Sequence, residues 1–150
     1  MNMNEPVKPG IYRHFKGNLY FVLGLAFSAD DLTNFHIAEV IYHPLYQCEN
    51  IGWRKRLYSE FFENVNKPEF SYSGPRFAIV MEWNMPTILP GKSFIGAGGG
   101  IRYKINRAFL NDEGKILIDC SRTHVVMHWV LRDPIPLEYE MLHDLRHLVF

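Results

Sequence analysis

A glycine-rich segment gives this sequence its most suggestive chemistry. The run Gly-Ala-Gly-Gly-Gly occupies residues 96–100, inside a long irregular stretch at 84–100. Because glycine has no side chain, the amides of Gly98, Gly99 and Gly100 could approach a phosphate or a carboxylate closely. Such a stretch in a compact domain is usually either functional or disordered. A surface loop whose glycines serve only flexibility is the alternative interpretation.

Aromatic and basic residues lie near this segment in the sequence. Phe94 and Trp83 stand close to its ends and could cover an aromatic ring of a ligand. Arg76 and Arg102 fall on the predicted strands on either side and would supply positive charge, each charge-assisted contact contributing about 1.5–3 kcal/mol. The pattern predicts a site for a small anionic ligand, with a nucleotide-like molecule as the favoured class.

A second group of basic and aromatic residues lies in the first half of the chain. Arg13, Trp53 and Arg54 belong to a mixture of the kind that pairs with phosphates and stacks on bases. Most aromatic residues in a chain of this size are core residues, however, and the charges at 54–56 fall where a helix would expose them. Both interpretations stay open, and we include the three residues among the candidate ligand contacts.

Two pairs of histidines are spaced four residues apart. His124 and His128 fall on a predicted strand, where that spacing corresponds to about 13 Å, too far for both to bind one ion. His143 and His147 fall on a predicted helix and could chelate a metal, but a third ligand is missing. We therefore expect no metal site.

The patterns typical of catalysis are weak. Asp119, Ser121 and His124 lie close together, but no Gly-x-Ser-x-Gly elbow surrounds the serine. Lys92 and Ser93 follow a glycine as in a phosphate-binding loop, but the upstream glycine of that loop is absent. We expect no catalytic residues and no cofactor, and we favour a protein that is not an enzyme.

The first half of the chain carries a succession of short motifs. They are Tyr-Arg-His-Phe-Lys-Gly at 12–17, Tyr-Phe-Val-Leu-Gly at 20–24, Val-Ile-Tyr-His-Pro-Leu-Tyr at 40–46, Trp-Arg at 53–54 and Phe-Phe-Glu-Asn-Val at 61–65. This succession resembles the bacterial and phage domain-of-unknown-function family numbered sixteen fifty-three. The resemblance extends over about residues 9–65. It implies an SH3-like β-barrel and no particular reaction.

Local patterns predict the elements that would position these residues. Apolar alternation and turn residues predict a hairpin and several strands, at 11–26, 36–42, 76–83, 101–109, 115–120 and 123–131. Apolar residues at helical spacing predict a short helix over 54–64 and a terminal helix over 137–148, the latter starting after a break at 133–136.

Proline, glycine and serine at 67–75 predict a linker. It would separate an SH3-like barrel subdomain, residues 1–66, from an antiparallel β subdomain with the C-terminal helix, residues 76–150. We expect these parts to share one core. The expected fold class is β-rich α+β, a small barrel extended by a second antiparallel hairpin and strand.

Composition limits the choice of partners. Sixteen basic residues balance sixteen acidic ones, so no global field attracts the chain to nucleic acid or to an anionic membrane. No run approaches the roughly 20 apolar residues of a membrane span, and the first ten residues lack the apolar centre of a secretory signal. We expect a cytoplasmic protein in which Cys48 and Cys120 are reduced thiols, one or both buried.

These observations predict a non-enzymatic protein that sequesters or senses a small anionic, nucleotide-like ligand, by analogy with some phage counter-defence proteins. The alternative is an interaction module that inhibits or adapts a host protein partner through its aromatic surface. A metal-assisted hydrolase using His143 and His147 is the third hypothesis. The sequence leaves the ligand identity and a homo-oligomeric state open.

Overall fold

The computed structural model describes residues 6–83, 88–95, 99–127 and 130–136, the last of these as backbone. The elements in chain order are strands β1 (Gly10–His14), β2 (Leu19–Ala26), β3 (Glu39–Pro44) and β4 (Arg54–Leu57), helix α1 (Tyr58–Phe61), strand β5 (Asn64–Lys67), a 3-10 turn (Pro68–Phe70), and strands β6 (Tyr72–Pro75), β7 (Phe77–Glu82), β8 (Ser93–Ile95), β9 (Ile101–Leu110), β10 (Ile116–His124) and β11 (Val130–Pro136).

These elements belong to two units. The first unit takes in Met1–Pro44 and Asn50–Met85, and the second takes in Leu45–Glu49 and Pro86–Phe150. The first contains a five-stranded antiparallel sheet in the order β4-β3-β2-β1-β7 and the two-stranded ribbon β5-β6, while the second contains the four-stranded sheet β11-β10-β9-β8. The chain is β-rich, as the sequence predicts, and the open five-stranded sheet is consistent with a barrel-like fold.

The predicted hairpin at 11–26 is confirmed as β1 and β2. Gly17 takes the left-handed φ of 104° in the turn between them, which residues with a side chain rarely adopt. In the register of the pair, Ile11 lies opposite Phe21, and Tyr12 lies opposite Tyr20. Successive side chains point to opposite faces, and all four are buried, so both faces of the hairpin are covered. The near-continuous apolar run of β2 reflects this two-sided burial.

Aromatic rings fill one face of the five-stranded sheet. The rings of Phe61 and Phe77 are parallel, with centroids 4.0 Å apart. Tyr12 and Tyr42 meet Phe61 edge-on at 5.8 and 5.4 Å. Helix α1 therefore delivers its one fully buried phenylalanine to the centre of this layer, which holds the helix against the sheet.

The second unit is built on the long hairpin β9–β10. The predicted turn at 111–114 is confirmed, because Asn111 Oδ1 accepts hydrogen bonds from the amides of Glu113 and Lys115. Ile105, Ala108, Ile118 and Cys120 are buried along the two strands. The buried side chains of this hairpin are therefore aliphatic, apart from the thiol of Cys120.

The helix predicted over 54–64 is wrong for most of its length. Arg54–Leu57 forms the edge strand β4, paired with β3, and only Tyr58–Phe61 is helical before the chain enters β5. Spacing such as that of Leu57 and Phe61 fits a helix, but backbone pairing with a neighbouring strand decides the conformation here.

The strand predicted over 123–131 is also wrong. β10 continues through Thr123 to His124, the chain then turns, and β11 returns along β10. Pro134 and Pro136, which were expected to break the strand, lie within β11 opposite Asp119 and Leu117. β11 ends the sheet order, and an edge strand tolerates residues that lack an N–H. The predicted helix at 137–148 lies outside the described residues.

Two segments predicted as irregular contain regular structure. The residues predicted as a linker, 67–75, form the end of β5, the 3-10 turn and β6, all inside the first unit. Within the predicted loop at 84–100, β8 pairs with β9, and the ring of Phe94 at the centre of β8 is buried. Among the described residues, no helix has the length and apolar character needed to cross a membrane.

Candidate ligand cavity

A cavity of about 610 Å³ opens in the first unit. The segment before β1, strand β1 itself, helix α1, the start of β5 and strand β7 supply its walls. Four of the lining residues are aromatic, namely Phe62 and the almost fully buried Tyr12, Tyr58 and Phe77. Pockets that bind small molecules commonly measure about 300–1,000 Å³ and combine apolar walls with a few polar groups. The volume of this cavity falls within that range, and its lining mixes aromatic and polar residues.

Tyr12 is a rigid part of the cavity wall. Its hydroxyl donates a hydrogen bond to the Lys8 carbonyl oxygen at 2.8 Å, and its ring meets Phe62 edge-on at 6.3 Å. Burial, and then the nearby Glu82 carboxylate and Tyr58, raise the pKa of Tyr12 to about 12. The phenol therefore stays neutral and keeps donating at physiological pH.

The Glu63 carboxylate is the cavity's fixed polar group. Arg76 Nε donates to Glu63 Oε1 at 2.9 Å, and Arg76 Nη2 contacts the same oxygen. The Arg76 amide also donates to the Glu63 carbonyl oxygen at 2.8 Å. These bonds join the residue before β5 to the residue after β6 at the open end of the ribbon, so the carboxylate is held in one place by both main chain and side chain.

The remaining polar lining lies at the rim. Ser59 and Asn64 are exposed and could orient a ligand through a hydroxyl and an amide. Lys8 Nζ lies 3.0 Å from Glu82 Oε1, but both side chains are well exposed and water screens this pair. A phosphate at the rim could therefore compete for Lys8. The arrangement suits a planar ring with polar substituents.

His14 lies beside the aromatic layer, in contact with Phe77 and Phe15. Its ring lies 4.8 Å from that of Phe77 and 4.2 Å from that of Phe15. Burial, followed by the charges of Arg76, Lys16 and Arg56, lowers the pKa of His14 to about 4. At neutral pH the imidazole is uncharged and only weakly basic. This environment favours a structural role for His14 over general-base catalysis.

Half of the candidate residues predicted from the sequence lie in the first unit. Arg76 contacts the cavity wall through Glu63, as described above. Arg13 lies on β1 opposite Ala78, and Arg54 Nη2 donates to the Asn50 carbonyl oxygen at 3.5 Å. Trp53 is 48% exposed, with its ring edge-on to those of His43 and Phe21 at 5.2 and 6.3 Å. The Trp83 amide donates to the Pro9 carbonyl oxygen at 3.1 Å.

The other predicted contacts lie in the second unit or outside the described residues. Phe94 is 1% exposed and stacks on Tyr103 with centroids 4.8 Å apart, so its ring is occupied by core packing. Gly99 has a left-handed φ of 71°, and the Gly100 carbonyl oxygen accepts a hydrogen bond from the Val125 amide at 2.9 Å. Arg102 is exposed on β9. Gly98 lies outside the described residues.

Sequence reasoning missed most of the cavity wall. Tyr12, Tyr58 and Phe77 are far apart in the chain and come together only through strand pairing and the packing of α1. The available signal was the clustering of aromatics at the starts and ends of the family motifs. In the part of the chain that the structure describes, no three His, Cys, Asp or Glu residues could hold a metal ion. His143 and His147 lie outside that part.

A comparison with known families accounts for the first unit. A family model with the description Protein of unknown function (DUF1653) matches residues 10–79. A DUF1653 protein from Bordetella bronchiseptica, whose crystal structure is known, is similar to this chain at 35% sequence identity. The match covers 51% of this chain and 91% of that chain, with a TM-score of 0.42. The chain belongs to the DUF1653 family. The resemblance seen in the sequence is thereby confirmed.

The DUF1653 match includes nearly all of the cavity. Apart from Pro6 and Lys8, every lining residue falls between positions 10 and 79. Strands β8 to β11 of this DUF1653 protein lie beyond the matched residues. No curated protein matches the chain.

Proposed function

We propose that this DUF1653 protein is a non-enzymatic binding protein that sequesters or senses a small nucleotide-like ligand in the cavity of its first unit. The observation that carries the proposal is the cavity of about 610 Å³, which has four aromatic residues and a few polar groups in its lining. Flat rings stack on or meet the edges of aromatic side chains favourably, each such pair contributing about 0.5–1.5 kcal/mol beyond area burial. A nucleobase offers such a ring.

The polar lining supports the same ligand class. The carboxylate of Glu63, which Arg76 holds in place, would accept a hydrogen bond from a ring amine. Ser59 and Asn64 would bind further ring or sugar groups, and Lys8 at the rim would meet a phosphate. These roles move the proposed site away from Gly98, Gly99 and Gly100 while they keep the ligand class that the sequence indicates.

We also propose that the first unit is an SH3-like barrel. The support comes from short antiparallel strands and from two register shifts, one that leaves Val80 of β7 as an extra residue opposite β1 and one that leaves Leu23 of β2 as an extra residue opposite β3. Bulges bend strands and increase twist, which helps a small sheet to curl around its core.

A pair of tryptophan variants tests the cavity. Ala78 is exposed and lines the cavity, so Ala78→Trp should fill it without disturbing the core. Val80→Trp is the matched control, because Val80 is exposed on the same strand and does not line the cavity. A ligand that binds the native state raises the melting temperature. We expect nucleosides or nucleotides to stabilise the wild type and Val80→Trp, and to have no effect on Ala78→Trp.

Two results would contradict the proposal. If no nucleoside, mononucleotide, dinucleotide or cyclic nucleotide shifts the wild-type melting temperature at millimolar concentration, the ligand class is wrong. If one of them stabilises Ala78→Trp as much as the wild type, the ligand class is right and the cavity is not its site.

An interaction module is the second candidate function. Trp53, Ile51 and Leu57 are large apolar side chains, each at least 36% exposed, within or just before the edge strand β4. Exposed aromatic residues beside an unpaired strand edge are typical of surfaces that bind other proteins. In this case Trp53→Ala should abolish co-purification of a protein partner, and Ala78→Trp should leave it unchanged.

A further inference from the structure

Two lysines and two phenylalanines from three segments meet on the surface of the first unit. Phe15 and Lys16 come from the turn after β1, Lys67 ends β5, and Phe70 ends the 3-10 turn. Lys16 Nζ lies 6.0 and 5.9 Å from the centroids of the Phe15 and Phe70 rings, and Lys67 Nζ lies 6.0 Å from that of Phe15. We call these four residues the basic–aromatic cluster.

The two rings of the cluster differ in exposure. Phe15 is buried and stacks on Tyr72, with centroids 6.0 Å apart and planes 24° apart. Phe70 meets the Phe15 ring edge-on at 5.5 Å but remains 46% exposed. Ser71, with a left-handed φ of 50°, ends the 3-10 turn directly after Phe70. Phe15 thus anchors the cluster, and Phe70 presents a ring to solvent.

The cluster carries uncompensated positive charge. Within the described residues, neither Lys16 nor Lys67 forms an ion pair, whereas Lys8, Lys55 and Lys115 each have a carboxylate partner. Burial, and then the charges of Arg76, Lys16 and Arg56, lower the pKa of His14, whose ring adjoins Phe15. Arg76 is paired with Glu63, and Glu69 is exposed in the 3-10 turn, so the charge that the cluster offers to a ligand is that of Lys16 and Lys67.

We propose that the basic–aromatic cluster binds single-stranded nucleic acid, with a base stacked on Phe70 and backbone phosphates bound by Lys16 and Lys67. Proteins that bind single strands combine cationic grooves with exposed aromatic rings. The ammonium groups of Lys16 and Lys67 come from different segments and lie about the same distance from the Phe15 ring. Two separate cations suit successive phosphates of a nucleic-acid strand. A free mononucleotide offers its phosphates at one end only.

The cluster and the cavity are separate places on the β5–β6 ribbon. Asn64 and Pro75 at one end of the ribbon line the cavity, whereas Lys67 and Tyr72 pair at the other end. Three residues of strand correspond to about 10 Å. The two proposals can therefore succeed or fail independently.

Fluorescence anisotropy with a labelled 15-nucleotide oligothymidine tests the cluster. We expect binding to the full chain at 25 mM salt, with log K falling linearly as log salt rises. Each phosphate contact on a single strand contributes about 0.7 to that slope, so Lys16→Ala combined with Lys67→Ala should reduce its magnitude by about 1.4. Phe70→Leu keeps an apolar side chain but removes the stacking ring, and it should weaken binding by about 5- to 150-fold.

Matched variants make the result specific. Lys55→Ala combined with Lys115→Ala removes the same charge from two exposed lysines that have acidic partners, and the slope should stay within error of the wild type. Ala78→Trp should bind the oligonucleotide like the wild type, which separates this site from the cavity. Melting temperatures of all variants should show that they fold.

Several results would overturn the proposal. They are the absence of oligonucleotide binding at 25 mM salt, a salt slope unchanged by the loss of both cluster lysines, or unchanged affinity in Phe70→Leu. Competition by thymidine monophosphate at the same molar concentration as the oligonucleotide would also overturn it, because it would mean that the site reads one nucleotide rather than a strand.

Discussion

The two units differ in the proportion of aromatic side chains that they bury. In the first unit, Tyr12, Tyr42, Phe61 and Phe77 form a layer of interlocking aromatic rings on one face of a sheet. In the second, the hairpin β9–β10 buries aliphatic side chains and the Cys120 thiol, and the one stacked pair described there joins Phe94 of β8 to Tyr103 of β9. Four of the residues that line the cavity in the first unit are aromatic.

The largest expected difference between the cores concerns Phe61. Phe61→Ala removes a fully buried ring that stacks on Phe77 and meets Tyr12 and Tyr42, and it should cost about 3–5 kcal/mol. Ile118→Val removes one buried methylene from the second unit and should cost about 0.5–1.5 kcal/mol. Urea unfolding followed by tryptophan fluorescence measures both. A loss below 1 kcal/mol for Phe61→Ala would contradict the central role given to the aromatic layer.

A pair of glycine substitutions compares how much space surrounds the backbone at the start of β1 and just before β9. A Cβ on Gly10 would overlap the carbonyl oxygen of Met81 on the paired strand β7, whereas a Cβ on Gly100 would have no neighbour closer than His124 Nε2 at 4.0 Å. Gly10→Ala should therefore destabilise the protein by about 1–3 kcal/mol. Gly100→Ala should change stability by less than about 0.5 kcal/mol. Equal effects in thermal unfolding would show that the β1–β7 contact is not tight.

The uncharged state of His14 predicts a pH dependence of the first unit. Because the folded pKa of about 4 lies below the unfolded value of about 6.5, the unfolded state binds the proton more tightly. The contribution of His14 is thus fully present above pH 6.5 and is lost as the pH falls toward 4. Solvent screening at this half-buried site limits it to about 1 kcal/mol.

His14→Gln isolates this contribution. The difference in unfolding free energy between the wild type and His14→Gln should shift in favour of the variant between pH 6.5 and pH 4.5. A difference that is constant over this range, or that shifts in favour of the wild type on acidification, would mean that His14 is not held neutral.

Exposed ion pairs should contribute equally little to the stability of the two units. Lys8 pairs with Glu82 in the first unit and Lys115 pairs with Glu113 in the second, and all four side chains are well exposed. Each lysine-to-alanine change should alter stability by no more than about 0.5 kcal/mol. A loss of more than 1 kcal/mol for Lys8→Ala alone would show that the segment before β1 depends on this pair and that the cavity rim is rigid.

The sequence predicts the architecture of the first unit better than its site. The alternation around Gly17 and the family motifs identify the β1–β2 hairpin, and Asn111 with Gly114 identifies the turn of the second unit. The helical spacing of Leu57, Phe61 and Phe62 predicts a helix over 54–64, but the sequence does not reveal that Arg54–Leu57 pairs with β3. Pro134 and Pro136 predicted a break because the sequence does not reveal which strand lies at an edge.

The structure offers a candidate site in a different place from the one that the sequence indicates. The mixture of aromatic and basic residues indicates a ligand with a ring and a charge, and that ligand class stays a prediction. Phe94, chosen as a ligand contact, packs on Tyr103, since an aromatic side chain in a short strand is more often core than site. Tyr12, Tyr58 and Lys67 acquire their neighbours only through pairings over long sequence distances.

Native mass spectrometry of the protein taken directly from cells tests the central claim most directly. The account predicts that the wild type and Val80→Trp retain a molecule with the mass of a nucleoside or nucleotide, and that Ala78→Trp has the mass of the chain alone. A wild-type protein without a bound small molecule, or the same molecule retained equally by Ala78→Trp, would contradict the claim that this cavity is the ligand site.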